Sequence, residues 1–234
     1  MSDFNFSDLG STSFVNENTT QYLKAFNIYK DVQLTKIEKT SLHSSKKDTD
    51  YSVIAMEFKS EEGTYTHNLF VPNKPEDMVR RVNETSGAKY PSAFEQFQFT
   101  LMQLAEIINP NGAKKIVDNS SKIKTMDQFI DLLIKALSGK DTKFYLKLVG
   151  RTVNNVTYAA LPSSCVLSKD ATEETKPIPL NFVSLDETKL SFSNYEMSQM
   201  NKIKAAKPTK DDELGIDEIP QEKDDSLDLN NLEI

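Results

Sequence analysis

Residues 51–71, YSVIAMEFKSEEGTYTHNLFV, hold the pattern on which the fold assignment depends. In the first half, the apolar residues from Ile54 to Phe58 occupy every second position, and Val53 and Ala55 lie between them. This period of two places them on opposite faces of an extended chain and predicts a strand. The adjoining EEG predicts a hairpin turn, and TYTHNLFV predicts the return strand. The stretch therefore predicts two antiparallel strands in succession.

The flanking segments extend this pattern. An earlier strand is predicted at residues 26–39, and a polar loop at 40–50. Helical patterns occur at 75–84, at 92–108 and between Thr125 and Gly139. The second and third of these begin with capping-box spacing, at Ser92 with Glu95 and at Thr125 with Gln128. Further strands are predicted at 143–149 and 153–161, separated by a GRT turn, and at 180–193.

This order predicts a mainly β fold with a helical insertion, of the α+β class. The preferred architecture is an OB-type five-stranded barrel with helices inserted between strands 3 and 4. A small β-sandwich that carries an inserted helical pair is the alternative. The predicted organisation has three parts: a flexible arm at 1–20, a domain at 21–199 with its helical insertion at about 75–140, and a disordered acidic tail at 200–234.

Charge is distributed unevenly along the chain. The formal net charge is −7. Residues 207–234 contain three lysines and ten acidic residues, so the rest of the chain has a net charge of zero. Such asymmetry is typical of an acidic interaction tail, and a purely solubilising end is the alternative.

Composition and motifs narrow the function classes. The sequence has no apolar run long enough to span a membrane and one cysteine, Cys165, which predicts a cytoplasmic protein. His43 and His67 match no zinc spacing, and an ordinary packed or surface role is favoured for His67. There is no phosphate-binding glycine motif and no GxSxG. We therefore expect no enzyme activity and no cofactor.

The strand at 143–149 carries a pattern that suits nucleic acid. Alternation places Lys143, Tyr145 and Lys147 on one face, opposite the apolar Phe144 and Leu146. Single-strand binding requires cations for the phosphates and aromatic faces for the bases. Lysines on an edge strand that block edge pairing are the alternative explanation. The complete set of predicted nucleic-acid contacts is Lys36, Lys39, Lys46, Lys47, Lys59, Lys143, Tyr145, Lys147, Arg151 and Tyr158.

Three segments together resemble a known family. The chain resembles the OB-fold single-stranded-DNA-binding proteins of tailed bacteriophages in three segments that precede an acidic tail. The segments are FNIYKDVQLTKIEK, the strand pair YSVIAMEFK and TYTHNLFVP, and KFYLKLVGR with VTYAALP. The resemblance covers about residues 22–196 and the tail. It implies single-stranded DNA binding without strong sequence preference in replication, recombination or repair, in the host cytoplasm. It also implies a tail that recruits replication or recombination proteins and competes with DNA. Two features depart from the family: the chain has no Trp, and it ends in Leu-Glu-Ile rather than on an aromatic residue.

The tail is not uniformly polar. Aliphatic residues recur among its acids, as in DDSLDLNNLEI, a pattern that favours docking on a partner. The predicted partner-binding residues are Asp224, Asp225, Leu227, Asp228, Leu229, Leu232, Glu233 and Ile234. The alternative function is a non-enzymatic virion structural or assembly adaptor protein whose tail contacts a basic partner.

Overall fold

The computed structural model describes residues 21–44, 48–162, 167, 169–172, 174–176 and 180–206. Its first three strands are β1 (Asn27–Ser44), β2 (Thr49–Ser60) and β3 (Gly63–Phe70), which pair antiparallel in succession. The predicted meander is thus confirmed. The polar loop predicted at 40–50 is shorter than expected, because β1 and β2 remain paired as far as Ser44 and Thr49.

The segment after β3 differs from the prediction. A helix was predicted over residues 75–84, but the structure has a 3-10 turn at Pro75–Met78 and a short hairpin of β4 (Arg81–Val82) and β5 (Lys89–Tyr90). The Asn83 side chain accepts hydrogen bonds from the backbone N–H groups of Thr85 and Ser86. Gly87 has a φ of +68°. Such turn chemistry competes with helix formation and explains the hairpin.

Three helices form the insertion: α1 (Ala93–Ile108), α2 (Pro110–Asp118) and α3 (Met126–Leu137). The predicted capping box at the start of α1 is present, with Ser92 and Glu95 bonded reciprocally. Thr125 caps α3 by accepting a hydrogen bond from the Gln128 N–H. Because these caps involve only neighbouring residues, the sequence predicted the helix starts correctly.

The chain then returns to the sheet through β6 (Phe144–Val153), β7 (Val156–Ala160) and β8 (Val183–Ser184), and ends its described part in α4 (Asn194–Ala206). The turn between β6 and β7 is Asn154–Asn155, not the predicted GRT. Both asparagines have positive φ, 50° and 63°, as two-residue hairpins require. The strand predicted at 180–193 shrinks to two residues. The helix α4 extends the folded part beyond residue 200, where the tail was predicted to begin.

The principal strands lie in the order β3-β2-β1-β6-β7, and β8 also pairs with β6. The sheet is mainly antiparallel, and the fold is mixed α/β. The helices α1–α3 are inserted between β3 and β6. Among the described residues no ladder joins β3 to β7, so no closed barrel is detected. The expected OB-type barrel is therefore not confirmed at that level of detail.

The core lies between one sheet face and the inserted helices. The sheet contributes Phe58 and Phe144, whose rings meet edge-on at 6.4 Å between centroids. The helices contribute, among others, Leu104 on α1 and Leu133 on α3, both with 0% exposure. Burying each such side chain contributes about 1.5–3 kcal/mol, so this contact fixes which sheet face points inward.

The gap between β3 and β7 is filled by side chains and by the N-terminal segment. The backbone of Thr64 on β3 pairs with Gln21 and Leu23, which occupy the start of its free edge. Further along, the Tyr65 hydroxyl and the half-buried His67 ring share a hydrogen bond of 3.1 Å. The Leu161 backbone, just after β7, also hydrogen-bonds to the Tyr65 hydroxyl. Burial lowers the pKa of His67 from 6.5 to about 4 and raises that of Tyr65. This position agrees with the ordinary packed or surface role expected for His67.

We expect the protein to lose stability as the pH falls from about 6.5 towards 4, because the unfolded chain takes up a proton on His67 before the folded chain does. The loss should be at most about 3 kcal/mol, since one pKa unit corresponds to about 1.4 kcal/mol and the side chain is only half-buried. Urea unfolding at pH 7 and pH 4.5 measures it. H67Q should flatten this dependence and H43Q, at an exposed site, should not. An equal slope in both variants would contradict the assignment to His67.

Candidate nucleic-acid interface

The sheet face that points away from α1 and α3 is called the outer face here. Register assigns its residues, since directly paired residues of antiparallel strands share a face. Leu34 on β1 and Phe58 on β2 are paired and buried, so they mark the inner face. The pairs on either side of them, Gln33 with Lys59 and Lys36 with Glu57, therefore lie on the outer face. The strands β3, β6 and β7 continue it. This face is the one on which a ligand could lie without displacing the core.

An arginine and a tyrosine meet at the β6–β7 end of the outer face. Arg151 pairs directly with Tyr158 across the ladder, and both are exposed, Tyr158 to 52%. The Asn154–Asn155 turn holds the two strands in this register. The pair therefore presents a permanent positive charge beside an aromatic face, the two groups that a phosphate and a base require. Both residues were predicted contacts, and the structure brings them together.

A second aromatic pair lies at the other end of the outer face. The rings of Tyr51 on β2 and Phe70 on β3 pack edge to face at 5.9 Å between centroids. Phe70 is 41% exposed, and Leu42 beside the pair on β1 is 37% exposed. This pair adjoins the β1–β2 connection, where the predicted contacts Lys46 and Lys47 fall outside the described residues. The alternation that places Val53 on one face of β2 also places Tyr51 there, so this aromatic residue has a signal in the sequence.

The lysines on β1 are partly neutralised. The Lys36 ammonium lies 2.7 Å from the Glu38 carboxylate, which raises the pKa of Lys36. Lys59 is exposed at the end of β2. Lys39, by contrast, pairs with the inward-facing Ile54 and lies 2.6 Å from Asp127 at the start of α3. Lys39 is therefore on the helix side of the sheet, so the structure does not group it with Lys36 and Lys59.

The predicted exposed strip on β6 is only partly present. Lys143 is exposed just before the strand, and Tyr145 is half-buried. Lys147 is buried, with 3% exposure, so its prediction as a surface contact is wrong. Its ammonium donates to Glu196 at 3.1 and 3.2 Å and to the Ser191 carbonyl at 3.0 Å. The reason is that α4 packs over this part of the outer face.

The start of α4 is built around the same carboxylate. Glu196 accepts a hydrogen bond from the Ser193 N–H at 2.6 Å, and Ser193 accepts one from the Glu196 N–H at 3.2 Å. This is a capping box at SNYE, with spacing visible in the sequence. The Phe192 ring lies 5.7 Å from the Lys147 ammonium. Lys147 and Glu196 thus hold α4 against β6.

The remaining predictions for the site fall outside this geometry. All eight predicted partner-binding residues of the tail lie outside the described residues. Within the described ranges, no group of three or more His, Cys, Asp or Glu side chains could hold a metal ion. No helix in that part of the chain is long and apolar enough to cross a membrane.

Comparisons with known proteins give no match: no family model, no curated protein and no solved structure is significantly similar to this chain.

The buried pair generates a stability prediction. E196Q keeps the capping hydrogen bonds but leaves the Lys147 ammonium buried without a countercharge, so unfolding should become easier by about 3–5 kcal/mol. K147M should also destabilise the protein. The double variant should lose clearly less than the two single losses added together, because neither charge is then left alone. Urea midpoints of the four proteins measure this coupling. Simple additivity would show that the ion pair does not hold α4.

Proposed function

We propose that this chain is a single-stranded-DNA-binding protein that holds the DNA strand on the outer face of its sheet. The observation that carries the proposal is the exposed cross-strand pair of Arg151 and Tyr158. A guanidinium can bind a phosphate while the neighbouring ring stacks on a base. Because every base has a π face, such contacts give binding without strong sequence preference.

The topology supports an OB-type arrangement for this function. The order β3-β2-β1-β6-β7 is the order of the five strands around an OB barrel, in which the third and last strands face each other. We infer a barrel that is open between β3 and β7, with the inserted helices covering one side. In OB folds, the strand 2–3 face and the loops next to it bind oligonucleotides. Here that face carries Tyr51 and Phe70, and the β6–β7 hairpin carries Arg151 and Tyr158.

Charge supports a local rather than a global attraction to DNA. Residues 1–206 have no net charge, so steering by bulk charge is weak. Affinity then comes from a few cations, Arg151, Lys59 and Lys143, and from stacking worth about 1–3 kcal/mol per base. Few phosphate contacts also imply a modest dependence on salt.

The acidic tail completes the proposal. Residues 207–234 carry the whole net charge of −7 and are tethered to α4, so they repel or compete with DNA at the outer face. We propose that the tail recruits replication or recombination proteins through its aliphatic and acidic residues. The protein acts by binding, without catalysis.

Substitutions at the cross-strand pair test the proposal. Y158A should weaken the binding of labelled oligo-dT by about 5- to 150-fold, since it removes one stacking platform of about 1–3 kcal/mol. Y158F keeps the ring and should bind nearly as the parent does. R151A should weaken binding and reduce the salt slope by about one phosphate contact. Fluorescence anisotropy at two salt concentrations measures both.

K135A is the matched control for R151A, because Lys135 is an exposed cation on α3, which packs on the inner face of the sheet. It changes the net charge by the same amount and should leave affinity unchanged. Equal losses for R151A and K135A would refute a localised site. No binding of oligo-dT by the parent at low salt would refute the function and favour the adaptor alternative.

Removal of residues 207–234 should tighten oligo-dT binding, because it deletes a tethered polyanion of net charge −7. The gain should shrink as salt rises, since both the tail and the DNA are screened. Titrations of the full-length and shortened proteins at two salt concentrations show this. A shortened protein that binds no better than the full chain would contradict competition by the tail.

A further inference from the structure

A groove of 470 Å³ runs across the outside of the helical insertion, away from the candidate DNA face. Its floor contains Ile116 and Phe129, which are almost fully buried. Its rim contains Met78 and Val117, which are 49% and 56% exposed. The other apolar lining residues are Phe94, Met102, Ile123 and Met126. Methionines adapt their shape to the groups they contact, so this groove suits a short aliphatic segment.

The border of the groove is basic. Residues 110–125 contain four lysines and a single acidic residue, Asp118. Lys124 lines the groove, and its ammonium donates to the Ser121 carbonyl at 2.8 Å. Lys122 donates to the Asn119 side chain at 2.9 Å. These two ammonium groups therefore contact neutral oxygens and keep their positive charge for an anionic ligand. An occupant with aliphatic and acidic side chains matches both the floor and the border.

We propose that residues 224–234 of the same chain, DDSLDLNNLEI, occupy this groove as a resting position, from which a recruited protein or the outer face can withdraw them. The segment contains four acids, no basic residue, and four aliphatic side chains. Its leucines and isoleucine fit the apolar floor, and its carboxylates lie near the lysines of the border. Apolar side chains inserted between charged contacts give such a segment both affinity and a defined position.

The connection is long enough. The described part of the chain ends with α4 at Ala206, and 17 residues lie between it and Asp224. Extended, they span about 55–60 Å. A domain of this size is about 40 Å across. A tether of this length also gives an effective concentration of roughly millimolar at the groove, so a weak contact suffices.

Methionine-methyl NMR of the full-length chain tests the proposal without nucleic acid, so its outcome is independent of the proposed function. Three of the seven methionines, Met78, Met102 and Met126, line the groove, and Met56 lies in the core as an internal control. Cys165→Ser first removes the native thiol, and a spin label is then attached at Glu233→Cys. The label broadens the signals of methyl groups that lie close to it. We expect the three groove methyl signals to lose at least half of their intensity and Met56 to keep its own.

Charge reversal provides the matched variants. The pair K122E and K124E should restore the groove signals, whereas the pair K135E and K140E, which changes the net charge by the same amount, should not. An unchanged Met56 signal shows that both variants are folded. The proposal is overturned if the label at 233 leaves the groove signals intact. It is also overturned if broadening arises only between labelled and unlabelled copies, which assigns the groove to a second copy. Broadening from Asn5→Cys instead would assign it to the N-terminal arm and overturn it as well.

Discussion

The shared strand β1 is the constraint on which the rest of the structure depends. It is 18 residues long and pairs with β6 through Asn27–Val32 and with β2 through Gln33–Ser44. A register shift between Tyr29 and Val32, with Asp31 at a φ of +53°, bends the strand where it changes partners. Because one strand serves two neighbours, the meander and the β6–β7 hairpin share one sheet. That places Tyr51 and Phe70, and Arg151 and Tyr158, on the same outer face.

Different elements pack on the two faces of the sheet. The inserted helices seal the inner face with apolar side chains, and Lys39 joins that side through Asp127. On the outer face, α4 covers only the part around Lys147, through one buried ion pair and its capping box. The remainder of the outer face is partly open: Val53 there is fully buried, whereas Phe70 and Tyr158 are 41% and 52% exposed. An exposed surface therefore coexists with a complete core, because the main apolar cluster lies on the other side of the sheet.

Local sequence patterns predicted much of the fold. The alternation in β2 and β3 and the capping residues Ser92 and Thr125 predicted the strands and helix starts, because these signals depend only on neighbouring residues. The same kind of signal failed at 75–84, where helical periodicity lost to the turn chemistry of Asn83 and Gly87. The edge of β3 could not be predicted, because Gln21–Leu23 and Leu161 reach it from elsewhere in the chain.

The sequence by itself determined the meander, the starts of α1 and α3, the neutrality of residues 1–206 and the acidity of residues 207–234. These features depend on composition and short periods, which need no tertiary contact. The sequence also identified Arg151 and Tyr158 as candidates. Only the tertiary structure decided which candidates share a surface. The alternation of residues along a strand assigns each side chain to one face of the strand. Whether that face is exposed to solvent depends on which distant segment packs against it. For Lys147 that segment is α4, and the lysine became a buried ion-pair partner instead of a surface contact.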